Sequence, residues 1–384
     1  MSFTTSFSPL VSSHPNHLQH LLPPATRSEY RQFLKDPVWF QRQPGHPDSL
    51  LSAINPHEHA HMRKLLSPAF TPRALRAQKP VLQKYMNLLV DRLREQVQHG
   101  DGVAGIDMGP WFNCTTFDVF GDLGFGESFD CLRHCQYHPW IALLFSNVKA
   151  ASFVAAARYY PLVESLLMKC IPRSLQQKSE RHYQQITTAT VLTGILSFLV
   201  NEPGKMAQLV NEVRHAFSSS KDVTLQAVAN LVHLNAVIQE GLRLCPPVPW
   251  MLPRLVPEEG SSVCGTWLPQ ESPVSLQAYS LNRDPSNFHE ATTLLPERWL
   301  PDASTNADPP FFHDNRRAIQ PFSIDPRSCL GQHLACAEMR LILAKLLLAF
   351  DFKAIDGKRL QWEDLRTFLL VEKRPLEVRV RLAG

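Results

Sequence analysis

Apolar residues recur at three- and four-residue spacing along most of the chain, and alternate with polar ones in only two regions. The first spacing predicts helices and the second predicts half-buried strands. Asn55-Pro56 reads as a helix start, a capping side chain followed by proline in the first turn. Helical patterns then cover residues 57–70 ("HEHAHMRKLLSPAF"), 73–98, 110–130 and 138–170, with breaks at Pro139, Pro161 and Pro172. Residues 186–200, "ITTATVLTGILSFLV", are apolar on every side and predict a buried helix. Two more helices are expected over 204–217 and 224–244. From 245 to 285 the pattern alternates and is studded with proline, so short strands and turns are expected. There "VCGTWLP" and "SPVSLQAYSL" predict a hairpin. A long helix follows over 330–350, and "RTFLLVEKRPLEVRVRLAG" predicts a closing pair of strands. Residues 1–55 show little periodicity and read as loops with short helical pieces. The expected class is mainly α with a small β region, in one domain over 1–384. Its parts are a loop-rich start (1–55), a helical body (56–244), a β-rich stretch with loops (245–310) and a final loop, helix and strands (311–384).

Composition narrows this picture. The 384 residues are 44% hydrophobic and 19% charged, which suits a globular chain with a real core. A formal charge of +4 makes no case for nucleic acid. Eight cysteines at irregular spacing do not form a secreted disulfide scaffold, so a reducing compartment is expected. The opening residues carry no signal-peptide pattern, and no apolar run has spanning length. The expected location is the cytoplasm, or the periphery of the endoplasmic reticulum membrane.

The candidate chemistry centres on Cys329. It stands where a rigid polar loop (Pro321, Asp325, Pro326, Arg327) gives way to the 330–350 helix. A thiol at a helix start sees the positive end of the macrodipole and free backbone N–H groups. Both favour thiolate, the form that attacks or binds metal. The competing reading is a buried cysteine acting as a small hydrophobe. A disulfide to Cys336 is excluded, because seven helical residues rise roughly 10 Å. Elsewhere, Glu240 and Arg243 stand one helical turn apart within an apolar stretch. A pair so placed is expected to be buried and to need further partners.

Together with Arg298 in "LLPERWL", these residues resemble the cytochrome P-450 superfamily of haem-thiolate monooxygenases, in family order along most of the chain. Phe322, Arg327, Cys329 and Gly331 match its haem loop. Glu240-x-x-Arg243 and Arg298 match its ionic cluster. The wording around "NEVRHAF" and "LNAVIQEGLRL" is similar to fungal microsomal members that modify secondary metabolites. The resemblance implies haem b, with Cys329 as the axial iron ligand and Arg327 paired with a propionate. Phe322 would cover the thiolate side and Gly331 would let the backbone approach the porphyrin. His59 and Arg63, spaced H-x-x-x-R, would donate to propionates. It also implies dioxygen, a lipophilic small-molecule substrate and an NADPH-dependent flavoprotein reductase. Residues 248–252 and 368–371 would line the substrate pocket. The basic stretch "RKLLSPAFTPRALRAQK" could face the reductase or simply be a solvated face.

The sequence also departs from the family pattern. The start resembles the end of the family's Glu-Leu-Ser-Phe strand, so the anchor and first strands are expected to be missing from it. The family's central helix carries Ala-Gly-x-Glu-Thr-Thr. Here Thr187 is the candidate oxygen-side threonine, but Ile186 occupies the acid position and Tyr183-Gln184-Gln185 replace the Ala-Gly segment. Several dozen residues are expected to be missing at this junction, leaving the fold incomplete. Asp325 stands where the haem loop has glycine. A second functional class is therefore a shortened, catalytically impaired paralogue or an incomplete gene model. A third is a zinc hydrolase, since His57, Glu58 and His61 spell H-E-x-x-H.

Overall fold

A computed structural model describes residues 33–42, 47–100, 102–134, 153–160, 162, 165, 183–305, 310–368 and 370–384. Within these, the side chains of 183–187, 304 and 325 lie outside the description. Seven helices carry the argument: α1 (Pro56–Leu66), α2 (Pro72–His99), α3 (Met108–Phe120), α4 (Tyr183–Asn201), α5 (Pro203–Ala216), α6 (Val232–Leu244) and α7 (Gln332–Ala349).

Their starts follow local chemistry. The Asn55 side chain accepts a hydrogen bond from the His57 N–H at 2.9 Å, and Pro56 fills the first turn. Thr71 caps α2 in the same way, accepting from the Ala74 N–H at 3.2 Å. α4 packs on α3 and α6, and α7 packs on α2, α5 and α6. Leu82, Leu89, Phe112, Phe117, Leu192, Ile195, Leu242 and Leu343 are among the side chains that fill the core between them. α4 and α6 approach closely. A Cβ on Gly241 would lie 2.2 Å from the Ile195 side chain, and one on Gly194 would lie 2.2 Å from Cys245 Sγ. Glycine at both positions is what lets these backbones meet.

The β part is small. One antiparallel sheet has the order β1 (Leu34–Lys35), β3 (Arg254–Leu255), β6 (Pro273–Val274). A second has the order β2 (Val103–Asp107), β8 (Glu377–Leu382), β7 (Phe350–Ala354). A two-stranded ribbon joins β4 (Ser261–Val263) to β5 (Thr266–Leu268).

Three expectations are corrected here. The hairpin lies within "SSVCGTWL" and turns at Cys264 and Gly265, both at positive φ (52° and 79°). The "SPV" segment pairs with β3 instead. The closing strands do not pair with each other, because β8 inserts between β2 and β7 from distant parts of the chain. The helical pattern of 224–244 is two helices, Leu225–Ala229 and α6, with Asn230 and Leu231 between them.

Candidate functional site

The N-terminus of α7 brings the loop thiol against α1. Gly331 is the N-cap residue, so Cys329 stands two residues outside the helix. Its N–H donates to the Phe322 carbonyl at 2.8 Å, which folds the loop back on itself. Arg63 reaches across from α1 and donates to the Ser328 carbonyl at 2.5 Å and to Ser328 Oγ at 3.0 Å. Burial raises the Cys329 thiol above the ordinary cysteine range, while the Gly331 and Gln332 N–H groups and Arg63 pull it down. The N–H groups of the helix start thus act in the direction expected of them, and burial outweighs them. The residue is nonetheless exposed, which tempers the effect of the protein packed beneath it. A Cβ on Gly331 would meet nothing nearer than 3.9 Å, so the protein alone does not demand glycine there. The strained backbone of the loop is at Ser323, with φ 56°, and not at Asp325, which begins a 3-10 turn.

Cations converge beside this loop. His59 is buried on the inner face of α1, and with Arg63, Pro326 and Arg327 it lines a cavity of about 510 Å³. Burial pushes its pKa down to about 4, helped by Arg327, Lys35, Arg63 and Arg254, so every charge acting on it is positive. Arg327 donates to the Ala53 and Ile54 carbonyls at 2.9 and 3.1 Å. Lys35 and Arg254 complete the group but carry no motif, and the sequence reading passed over both. Their signal is spatial: β1 and β3 put Lys35 opposite Arg254.

A second cluster lies behind α6. Glu240, Arg243 and Arg298 are fully buried. Arg243 binds Glu240 with both Nε (2.9 Å) and Nη2 (2.7 Å). The same carboxylate accepts from Arg298 Nε, the Leu295 N–H and Trp299 Nε1, at 3.1, 3.0 and 2.8 Å. Burial alone would raise its pKa. The two arginines and these donors reverse that and hold Glu240 below the usual carboxylate range. Asp314 is the member that sequence reasoning missed: it pairs with Arg298 and accepts the His289 N–H at 2.7 Å. Two carboxylates, Glu240 and Asp314, thus face the guanidiniums of Arg243 and Arg298.

Thr187 lies in α4 with its side chain outside the described residues. Phe322 is half-buried against the main core. Trp250 stacks on Trp39 with ring centres 6.5 Å apart, and Phe368 lies 6.1 Å from Phe153. His57, Glu58 and His61 are exposed on α1, and no group of three metal-ligating side chains exists among the described residues. H-E-x-x-H occupies exposed positions of this helix with no third ligand beside it among the described residues, so the zinc reading is not favoured.

The family model described as Cytochrome P450 matches residues 10–186 and 185–380, nearly the whole chain. The chain belongs to the cytochrome P450 family. A cytochrome P450 monooxygenase of Purpureocillium lilacinum is 36% identical over 93% of this chain and 76% of its own length. The averantin hydroxylase of Aspergillus parasiticus is 33% identical over 97% of this chain and 84% of its own. The trichothecene C-4 hydroxylase of Trichoderma arundinaceum is 34% identical over 84% and 74%. This P450 is thus of the fungal secondary-metabolism type, an oxidoreductase that works with a haem, a redox partner, a substrate and oxygen. The first of these alignments spans 406 positions, more than the 384 residues of this chain, while covering 93% of it. That relative therefore carries residues opposite gaps in this P450. The two matched stretches of the family model meet at 185–186, near the N-terminal end of α4. No described helix is long and apolar enough to cross a membrane.

The residues present fit a haem. Buried and half-buried cations that repel one another call for an anion, and a porphyrin brings two carboxylates. The thiol that would ligate its iron stands beside them, on the loop that Arg63 holds.

Proposed function

We propose that this P450 binds haem b through Cys329 and oxidises a lipophilic small molecule with electrons from an NADPH-dependent flavoprotein reductase. The observation that carries this reading is the convergence of His59, Arg63, Arg254 and Arg327 beside the Cys329 loop. Arg327, Arg63 and Arg254 would neutralise the propionates, and His59, neutral at pH 7, would donate a ring N–H. Phe322 and Gly331 would line the thiolate side. When bound, a haem with a thiolate ligand supplies dioxygen activation, so that one oxygen atom enters a C–H bond and the other leaves as water. Arg63 serves that chemistry indirectly, by fixing the Ser328 backbone next to the ligand. Glu240, Arg243, Arg298 and Asp314 lie behind α6 and act as structural residues. Thr187 is the candidate for proton handling on the oxygen side. The substrate is proposed to meet residues 248–252 and 368–371, and its lipophilic class is supported by the hydroxylase relatives.

A carbon-monoxide difference spectrum of the reduced, purified protein tests this. The wild type is expected to give a thiolate-type Soret band, and Cys329→Ala is expected to lose it while keeping its helical circular dichroism. A Cys329→Ala variant with the wild-type spectrum would remove Cys329 from the ligand role.

A further inference from the structure

The oddest contact in the cation group is the one between β1 and β3. Lys35 and Arg254 are directly opposed across an antiparallel pair, and both lean on the Phe40 ring, at 5.3 and 5.9 Å from its centre. Opposed like charges destabilise a strand pair. Lys35 is also almost fully buried, at 4% exposure. Its Nζ donates to the Leu50 and Leu51 carbonyls at 2.8 and 2.5 Å, which fixes its position without offsetting its charge. Burial, Arg327 and Arg254 lower its pKa to about 7, and Asp48 opposes them only in part. A charge that is desolvated, confronted by two arginines and tied down by carbonyls weakens the empty protein. Such arrangements persist where a bound group returns the lost stability.

We propose that Lys35 is a positioning residue of the haem site, whose charge steadies the propionates from the β1 side. This rests on the haem reading above. The carbonyls of 50 and 51 hold the ammonium in place, and the carbonyls of 53 and 54 do the same for Arg327. One short loop thus holds two cations through its carbonyls, and both act on His59 beside the cavity. An anion beside them would offset their mutual repulsions with attractions of its own.

The test uses the holoprotein and two porphyrins: natural haem and its dimethyl ester, which lacks the propionate charges. Transfer of each to excess apomyoglobin is timed for the wild type, Lys35→Gln and Lys35→Arg. Gln keeps an N–H donor for the loop carbonyls and removes the charge. Lys35→Gln is expected to release natural haem about tenfold faster, as loss of an outer contact does at other metal sites. It is expected to release the ester at the wild-type rate, and Lys35→Arg should restore natural haem. The ligand-free Lys35→Gln protein should melt at or above the wild-type temperature, because a repulsive charge has gone. Comparing two porphyrins within each variant cancels general damage, which would speed both. Equal acceleration of both porphyrins, no acceleration of either, or a ligand-free chain too unstable to purify would each overturn the proposal. A wild type that takes up neither porphyrin would overturn the haem reading itself, whereas normal uptake with unchanged release from Lys35→Gln would overturn only the role of Lys35.

Discussion

Glu240 accepts five hydrogen bonds from Arg243, Arg298, Leu295 and Trp299, and Arg243 is its nearest counter-charge. Removing that guanidinium leaves a buried carboxylate short of charge and donors. It also strips the Asn282 and Thr293 carbonyls of the donors they accept from, at 2.7 and 3.1 Å. Arg243→Ala is therefore expected to lose ~3–5 kcal/mol, the usual range for breaking a buried pair. Lys221→Ala, at an exposed position, should stay within about 0.5 kcal/mol of wild type. Urea midpoints of the two variants make the comparison, and equal midpoints would mean that the cluster is energetically idle. Part of this cluster was legible in the sequence because Glu240 and Arg243 share one helical turn, a spacing the chain itself displays. Asp314 was not: an aspartate among prolines and polar residues reads as an ordinary loop residue until folding sets it against Arg298. Lys35 and Arg254 were hidden for the same reason, since 219 positions separate partners that touch only across a sheet.

α7 shows the same division at the scale of an element. Its start, length and apolar periodicity follow from local sequence, and its 18 residues run as the pattern predicts. Less visible was that Glu338 points inward. Burial raises its pKa to about 8. In the unfolded chain this carboxyl ionises near the ordinary 4.5, so between about 4.5 and 8 the folded state holds a proton that the unfolded state releases. The contribution of Glu338 to stability is complete below that window and fades as pH rises through it. Glu338→Gln carries no such proton. It is expected to match wild type below pH 4.5 and to unfold at higher urea by pH 8. Parallel pH profiles for the two proteins would count against a buried carboxyl at this site. Strand pairing was the least legible level. "SPV" and "EVRVRL" both look like strands, but their partners lie far off in sequence, and alternation says nothing about which distant edge a strand will choose.

At the scale of the whole molecule, the family match breaks at 185–186, the N-terminal end of α4. The sequence there, Tyr183-Gln184-Gln185-Ile186, holds no carboxylate. A positioned acid typically contributes about 10²–10⁴-fold to proton transfer. This P450 is therefore expected to couple poorly, with much of its NADPH ending in hydrogen peroxide, as two electrons and two protons reduce dioxygen without touching the substrate. A chimera carrying the corresponding stretch of a relative with the acid should form more product per NADPH consumed. Well-coupled turnover by the 384-residue chain would show that another group delivers the proton. The interruption spares the second sheet, where β8 lies between β2 and β7. Its central strand comes after every described helix in the chain. Until it arrives, β2 and β7 wait as two open edges, each able to pair with a neighbouring nascent chain. A chain folded only as far as β7 would therefore hold its helices and two adhesive strands, the sort of product that chaperones and proteases remove.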